Sequence, residues 1–295
     1  MADTNAMADI RGIDVDKLAK GFADEEMVLE KYVAHAPTSA REIRWYQKTS
    51  GFIATPTTTG MTLNLIDNTD FKALAPVAEE SWTRRTSYVK KFFVESPLLS
   101  AEDISDSDVD VLATNVRELV RSVQRRVEKR IYDVMTESDT PATIQTIAIT
   151  DEWDDYTNMT PVDDMMKAKE YLFNYYYESE GAVFIMRGDV HRFLVNWLIN
   201  TKGASIPVWS SELASGQGVV MRIVGLKVVV SNIVTTDKAV IFVPQRAVTW
   251  KDFSNITSAR IEEVGIGTKL RCWREGEAIL TDPKAVVFFS NIGPT

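Results

Sequence analysis

The chain has 295 residues, 45% hydrophobic and 25% charged, which is ordinary globular usage and enough for one large domain or two smaller ones. A formal net charge of −9 argues against a protein drawn onto nucleic acid by its overall field, and one cysteine with two histidines excludes a disulfide framework or a Cys/His zinc cluster. No run of about 18 apolar residues could span a membrane, and the first residues hold no apolar secretion core, so the chain is expected to be made, or to assemble, in a reducing cytoplasm.

Residues 1–20 are small and polar and read as an arm that is flexible or held by a partner. The segment DEEMVLEKYVAH (24–35) has helical spacing, with Met27, Val28, Tyr32 and Val33 inward and Pro37 as its stop. From residue 42 the period changes to two. REIRWYQKTSGFIATP and SWTRRTSYVKKFFVES each alternate, are rich in aromatic and β-branched residues, and read as strands. Between them, residues 55–80 form a long extended excursion with little material for a core of its own, a kind of loop that is usually functional or disordered.

Residues 105–137 contain neither Gly nor Pro. Leu112, Val116, Leu119, Val120, Val123, Val127, Ile131 and Val134 recur at spacings of three and four, predicting one long amphipathic helix. Ser105 and Asp108 suit a capping box, and the acidic residues 103–110 suit the positive end of the helix dipole. On a different face, Arg117, Arg121, Arg125 and Lys129 lie four residues apart. That stripe reads as a solvated face or as a non-specific contact, with phosphates or with acidic residues of a neighbouring subunit.

Beyond the helix, TIQTIAIT predicts a strand, Pro161 opens a helix running toward residue 180, and AVFIM predicts a buried strand. Gly188 and Asp189 open a further helix expected to stop at Gly203. A Ser/Gly-rich loop precedes VVMRIVGLKVVVSN, two strand segments either side of Gly225, and KAVIFVP and the tail supply more strands. The order is that of an α+β chain.

Catalytic signals are poor. His191 reads as a helix-surface histidine and His35 as a residue at a helix end; no G-x-S-x-G frame is present. Glu152, Asp154 and Asp155 lack the glycine and terminal glutamate of a calcium loop. No catalytic residue, cofactor or metal is assigned, and the chain is read as a non-enzyme.

The sequence of elements resembles the major capsid proteins of tailed bacterial and archaeal viruses, the fold first seen in phage Hong Kong ninety-seven and shared with encapsulins. The features that carry it are the arm leading into an extended loop bracketed by strands, ESPLLSAEDISDSDVDV before the long helix, AVFIMRGDVHRFLVNWL, and the closing VVMRIVGLKVVVSN, KAVIFVPQRAVTW and PKAVVFFSNI. The resemblance implies an N-terminal arm (1–43), an extended loop with flanking strands (44–96), a peripheral domain (97–160 and 251–295) around a spine helix at 105–137, and an axial domain (161–250). It implies assembly into pentamers and hexamers that form an icosahedral head in the virion, built in the host cytoplasm around double-stranded DNA held non-specifically. Portal, scaffolding and decoration proteins are the implied partners, with no membrane and no cofactor. Phe52, Ile53, Met61, Leu63, Leu65, Phe71 and Leu74 of the extended loop would be buried on neighbouring subunits, and Arg117, Arg121, Arg125 and Lys129 would face a subunit or DNA. Some members join a loop lysine to a neighbour's asparagine, which here would be Lys72 and Asn291, although most members do not. Two alternatives stay open: an encapsulin-type shell, and a cytosolic α+β enzyme with an unrecognised site.

Overall fold

Alternation before residue 100 and helical periodicity after 111 become strands and a helix in the computed structural model. It describes residues 28–50, 53–57, 60–63, 81–100, 102, 111–136, 144–155, 157–175, 177–198, 222–263 and 265–293. After a 3-10 turn at Glu30–Tyr32 come β1 (Ala34–Pro37), β2 (Glu42–Ser50), β3 (Ile53–Thr57), β4 (Gly60–Leu63), β5 (Ser81–Tyr88), β6 (Lys90–Glu95) and β7 (Leu99–Ser100). Helix α1 (Val111–Met135) is followed by β8 (Gln145–Ala148), α2 (Pro161–Phe173), β9 (Val183–Met186) and α3 (Gly188–Trp197). The chain closes with β10 (Arg222–Ile223), β11 (Leu226–Val230), β12 (Lys238–Phe242), β13 (Val248–Glu263), β14 (Gly267–Leu280), a 3-10 turn at Pro283–Ala285 and β15 (Val286–Ser290). The fold class is α+β.

Two sheets carry the structure. The first runs β1-β13-β14-β6, with β7 also paired to β14. The second is six-stranded, in the order β10-β11-β9-β12-β15-β8. Its central strands VFIM and KAVIF are apolar runs, as expected of strands covered on both faces. Residues 161–250 supply four of its six strands; β8 and β15 come from outside that range. Val224 and Gly225 both take positive φ (51° and 80°), which gives the tight turn between β10 and β11 the twist a hairpin needs.

Helix α1 lies on β14, β6 and β13. Leu119 and Val123 pack with Leu270 and Cys272, and Val127, Ile131, Tyr132 and Met135 enter the main core. At roughly 1.5–3 kcal/mol for each fully buried aliphatic side chain, this stripe is what holds the helix to the sheet. Residues 103–110, and with them the expected capping box, lie outside the described residues.

Several expectations are corrected. The helix predicted over 24–35 is, in its described part, a single 3-10 turn followed by β1, which pairs parallel to β13 with His35 opposite Trp250. Pairing with a sheet edge outweighs the local helical spacing. The single strand predicted for residues 81–96 is two: β5 pairs with β2, and after Val89 the chain changes sheets so that β6 pairs with β14. Helix α2 ends at Phe173 rather than near residue 180. His191 is buried, not on the helix surface, and burial lowers its pKa. Helix α3 starts at Gly188, and the expected stop at Gly203 lies outside the described residues.

Gly276 of β14 sits under Trp250: a Cβ at this position would lie 2.5 Å from Trp250 Cζ2 and 2.8 Å from the Lys251 carbonyl oxygen. Trp250 is fully buried, so it cannot swing aside. Gly276→Ala is therefore expected to destabilise the unassembled subunit by about 1–3 kcal/mol, read as a lower urea midpoint with an unchanged slope.

Candidate assembly surfaces around the long helix and the loop base

Strands β2 and β5 form a two-stranded ribbon with Trp45 opposite Arg85 and Ile43 opposite Ser87. Alternation gives the ribbon two unlike faces. The inner face is tied down by polar contacts: the Trp45 indole and the Gln47 amide both donate to the Leu280 carbonyl (3.0 and 2.7 Å), and Arg85 Nε donates to Gln47 Oε1 at 3.0 Å. The outer face carries large aromatics in water, with Tyr46, Trp82 and Tyr88 at 61%, 53% and 64% exposure. Further along the chain, Ile53, Met61 and Leu63 lie in the small hairpin of β3 and β4, where Ile53 pairs with Leu63. Phe52, Leu65, Phe71, Leu74 and Lys72 lie outside the described residues.

Beneath the ribbon, the fully buried Glu277 of β14 receives Arg130 of α1 (Nη2 to Oε1, 2.5 Å; Nε to Oε1, 3.1 Å) and the Ser87 hydroxyl at 3.3 Å. Three segments far apart in sequence thus converge on one carboxylate. Its second oxygen, Oε2, is buried and has no hydrogen-bond partner among the described residues.

A second cluster fastens the chain ahead of β1. Arg274 donates to both oxygens of Glu30 (3.1 and 2.7 Å) and to Asp252 Oδ1 (2.8 Å), and lies over the Trp250 ring at 5.1 Å. Asp252 also receives the Trp250 indole at 2.6 Å and lies 3.0 Å from His35 Nδ1. Burial pushes the Asp252 carboxyl up, but hydrogen bonds from Arg274, His35 and Trp250 outweigh it and hold the group below its ordinary range. On the helix, buried Glu128 accepts the backbone N–H groups of Val28 and, at 2.9 Å, Leu29, and burial raises its pKa. Glu128 therefore serves the backbone where the described chain begins, rather than the basic stripe.

The basic stripe itself is rearranged by the fold. Arg130 turns in to Glu277, while Arg117, Arg125, Arg126 and Lys129 are exposed. Arg121, Ser122, Arg125, Arg126 and Lys129 line an open groove of about 420 Å³ with Glu118. Arg121 donates to Glu118 at 3.2 Å and Lys129 to Asp133 at 2.5 Å. Arg126 is the groove residue that spacing by four overlooks, and Arg130 the one that counting charge misplaces. Arg274 was legible in principle, since it shares inward parity with Leu270 and Cys272 on β14. Among the described residues no group of three or more His, Cys, Asp or Glu is placed to hold a metal ion. Asp155 instead closes a local turn by accepting from Thr157 N and Asn158 Nδ2.

A family model described as "Phage capsid protein" matches residues 98–288, more than half of the chain. The chain belongs to the phage capsid protein family. It is a major capsid protein, a virion component that forms the shell of the phage head. Its fold is similar to the capsid protein of Cyanophage P-SCSP1u, with a TM-score of 0.68 at 10% identity over 92% of this chain and 90% of that one. It is similar, too, to the capsid of a native GTA particle (TM-score 0.68, 11% identity, 92% and 91% covered). The virus-like particle from Pyrococcus furiosus shares the fold at a TM-score of 0.55 and 12% identity, over 97% of this chain and all of that one (100%). No curated protein matches this chain by sequence. The family is one of structural proteins.

Removing one partner of a buried pair strands the other. Arg130→Ala in the capsid protein is expected to cost about 3–5 kcal/mol in chemical unfolding, well beyond an exposed Arg125→Ala. Glu128 gives a pH signature. Because its folded pKa is raised above 4.5, stability is lost as pH climbs from 4.5 through the folded value. The stability difference between wild type and Glu128→Gln should shrink across that window and be flat above it, and urea midpoints measured from pH 4 to 8 check this.

Proposed function

We propose that this capsid protein builds an icosahedral head from pentamers and hexamers, enclosing double-stranded DNA held without sequence preference. Residues 44–96 act as an extended loop that lies over an adjacent subunit. Residues 1–43 act as the arm, 97–160 with 251–295 as the peripheral domain, and 161–250 as the axial domain. Phe52, Ile53, Met61, Leu63, Leu65, Phe71 and Leu74 are the loop's contacts with the neighbour.

One observation carries this reading. The β2–β5 ribbon is fastened to the body by its inner face, yet presents Tyr46, Trp82 and Tyr88 to solvent on the other. Three large exposed aromatics on one small ribbon are costly in a lone subunit and suit the centre of an obligate interface, where such residues are enriched. The face of α2 that carries exposed Met166 and Phe173, seven residues apart, supports a second contact of the same kind. Membership in a head-forming family supports a portal, a scaffold and, where the head needs one, a decoration protein as partners, with assembly in the host cytoplasm.

Electron microscopy of the purified chain tests the proposal. Closed shells or capsomers of five and six copies are the expected result, and a stable monomer under all assembly conditions would sink it. Deleting residues 57–75 should leave a folded subunit, with wild-type far-UV circular dichroism, that cannot close shells. If that deletion unfolds the subunit, the loop belongs to the core.

A further inference from the structure

We propose that the outer edge of β13 pairs with the same edge of a second copy of this chain, antiparallel about a two-fold axis at Ile261. Strand β13 runs from Val248 to Glu263 and pairs with β14 on one side, with bulges only before Thr257. On its other side β1 reaches only to Asp252, whose carbonyl also accepts the Thr38 N–H at 2.8 Å. From Ser254 to Glu263, no strand among the described residues covers that side. Every second residue of such an edge turns its N–H and C=O outward, a template that another strand completes. Two usual protections of an edge are missing: SNITSARIEE holds neither Lys nor Pro, and the strand is regular from Thr257 to Glu263. Asn255, Thr257, Ser258, Arg260 and Glu262 are exposed along it.

Charge chooses the occupant and the register. Arg260 pairs with Glu262 at 2.8 Å, and Glu263 with Lys269 of β14 at 2.7 Å. The signs are balanced in pairs, so the edge suits a strand with the same alternation of signs, which a second copy supplies. Because outward main-chain groups alternate, residues facing one another across an antiparallel self-pairing have the same parity. Centring the pair on Arg260 or on Glu262 sets like charges face to face. Centring it on Ala259 gives neither residue an opposite charge. Centring it on Ile261 sets each Arg260 against the partner's Glu262, twice by symmetry.

The same register disposes of exposed apolar groups. Ile256 and Ile266 are 39% and 57% exposed, and they lie five residues either side of Ile261. The two-fold therefore brings the hairpin tip of each copy, with its Ile266, toward Ile256 of the other, while the two Ile261 side chains meet on the axis. The contact is isologous, whereas contacts around a ring of five or six copies are head-to-tail, so in a shell it links rings. It does not depend on how many copies each ring holds. The paired stretch is short, so one contact is weak in solution and gains its strength from many acting together.

Oxidative crosslinking of the full-length chain with copper phenanthroline tests it on non-reducing gels. Native Cys272 is buried and serves as a silent background. Ile261→Cys should give disulfide dimers, because facing residues stand about 4.5–5.5 Å apart at Cα, within disulfide reach. Asn255→Cys is more exposed, but its two copies stand about 40 Å apart along the strands, and it should give about tenfold less dimer or none. In the Ile261→Cys background, Arg260→Glu or Glu262→Arg should slow dimer formation about tenfold at low salt. The two together should restore it, a rescue that misfolding cannot mimic. Equal dimer yields from positions 255 and 261, or charge reversals without effect, would overturn the proposal. So would shells that form without any Ile261→Cys crosslink, a result that leaves the head itself standing.

Discussion

The carboxylate of Glu277 is the constraint on which the arrangement of parts depends. It is fully buried on β14, and it binds Arg130 of the long helix and Ser87 of the loop base at the same oxygen. Burying such a pair costs several kcal/mol of hydration for each ion, so the pair adds little to stability compared with an apolar replacement. What it does contribute is position. If the helix slid by one turn so that Val134 took the place of Arg130, a bare charge would stay in the core. The apolar stripe would oppose such a slip less, since residues four apart, such as Val123, Val127 and Ile131, share one face and are similar in shape. Register between helix, ribbon and loop base is therefore set by a polar contact and stabilised by apolar ones.

The same logic explains how the two-stranded ribbon is held to the subunit. The β2–β5 ribbon is attached through Trp45, Gln47 and Ser87, three side chains that bond to β14 at Leu280 and Glu277. A two-stranded ribbon is marginal in water by itself. Fixing its inner face leaves Tyr46, Trp82 and Tyr88 on the outer, exposed one.

A comparable polar clamp fixes the chain around Glu30 and β1. Arg274 joins Glu30, Asp252 and Trp250, and β1 runs parallel to β13 beside it. Strand β1, the β2–β5 ribbon and the helix are thereby all referred to β13 and β14. Those two strands make a long antiparallel hairpin with irregular register between Asp252 and Thr257. The bulges increase local twist, and the helix spans both sides of them, with Leu119 and Val123 against Leu270 and Cys272 and with Arg130 on Glu277.

How much of this was legible follows from the range of the forces involved. Helical spacing from Leu112 to Val134, the alternation around Trp45 and Trp82, and the buried runs VFIM and KAVIF identified most elements, and their order carried the resemblance to capsid proteins. Those signals are local, because periodicity only asks which face of one element is apolar. Residues 28–35, the described part of the helix predicted over 24–35, were misread for the converse reason: their helical spacing competes with an edge of β13 that lies more than two hundred residues away. Charge showed the same limit. Arg117, Arg125 and Lys129 fell on an exposed face as their spacing indicated, but Arg130 and Glu128 looked like two more surface charges and are committed to Glu277 and to the Leu29 backbone. The sequence by itself determined most of the elements, their order and the resemblance to capsid proteins. The tertiary structure decided which charges are structural, because the cost of burying an ion and the partner that offsets it exist only once distant segments meet.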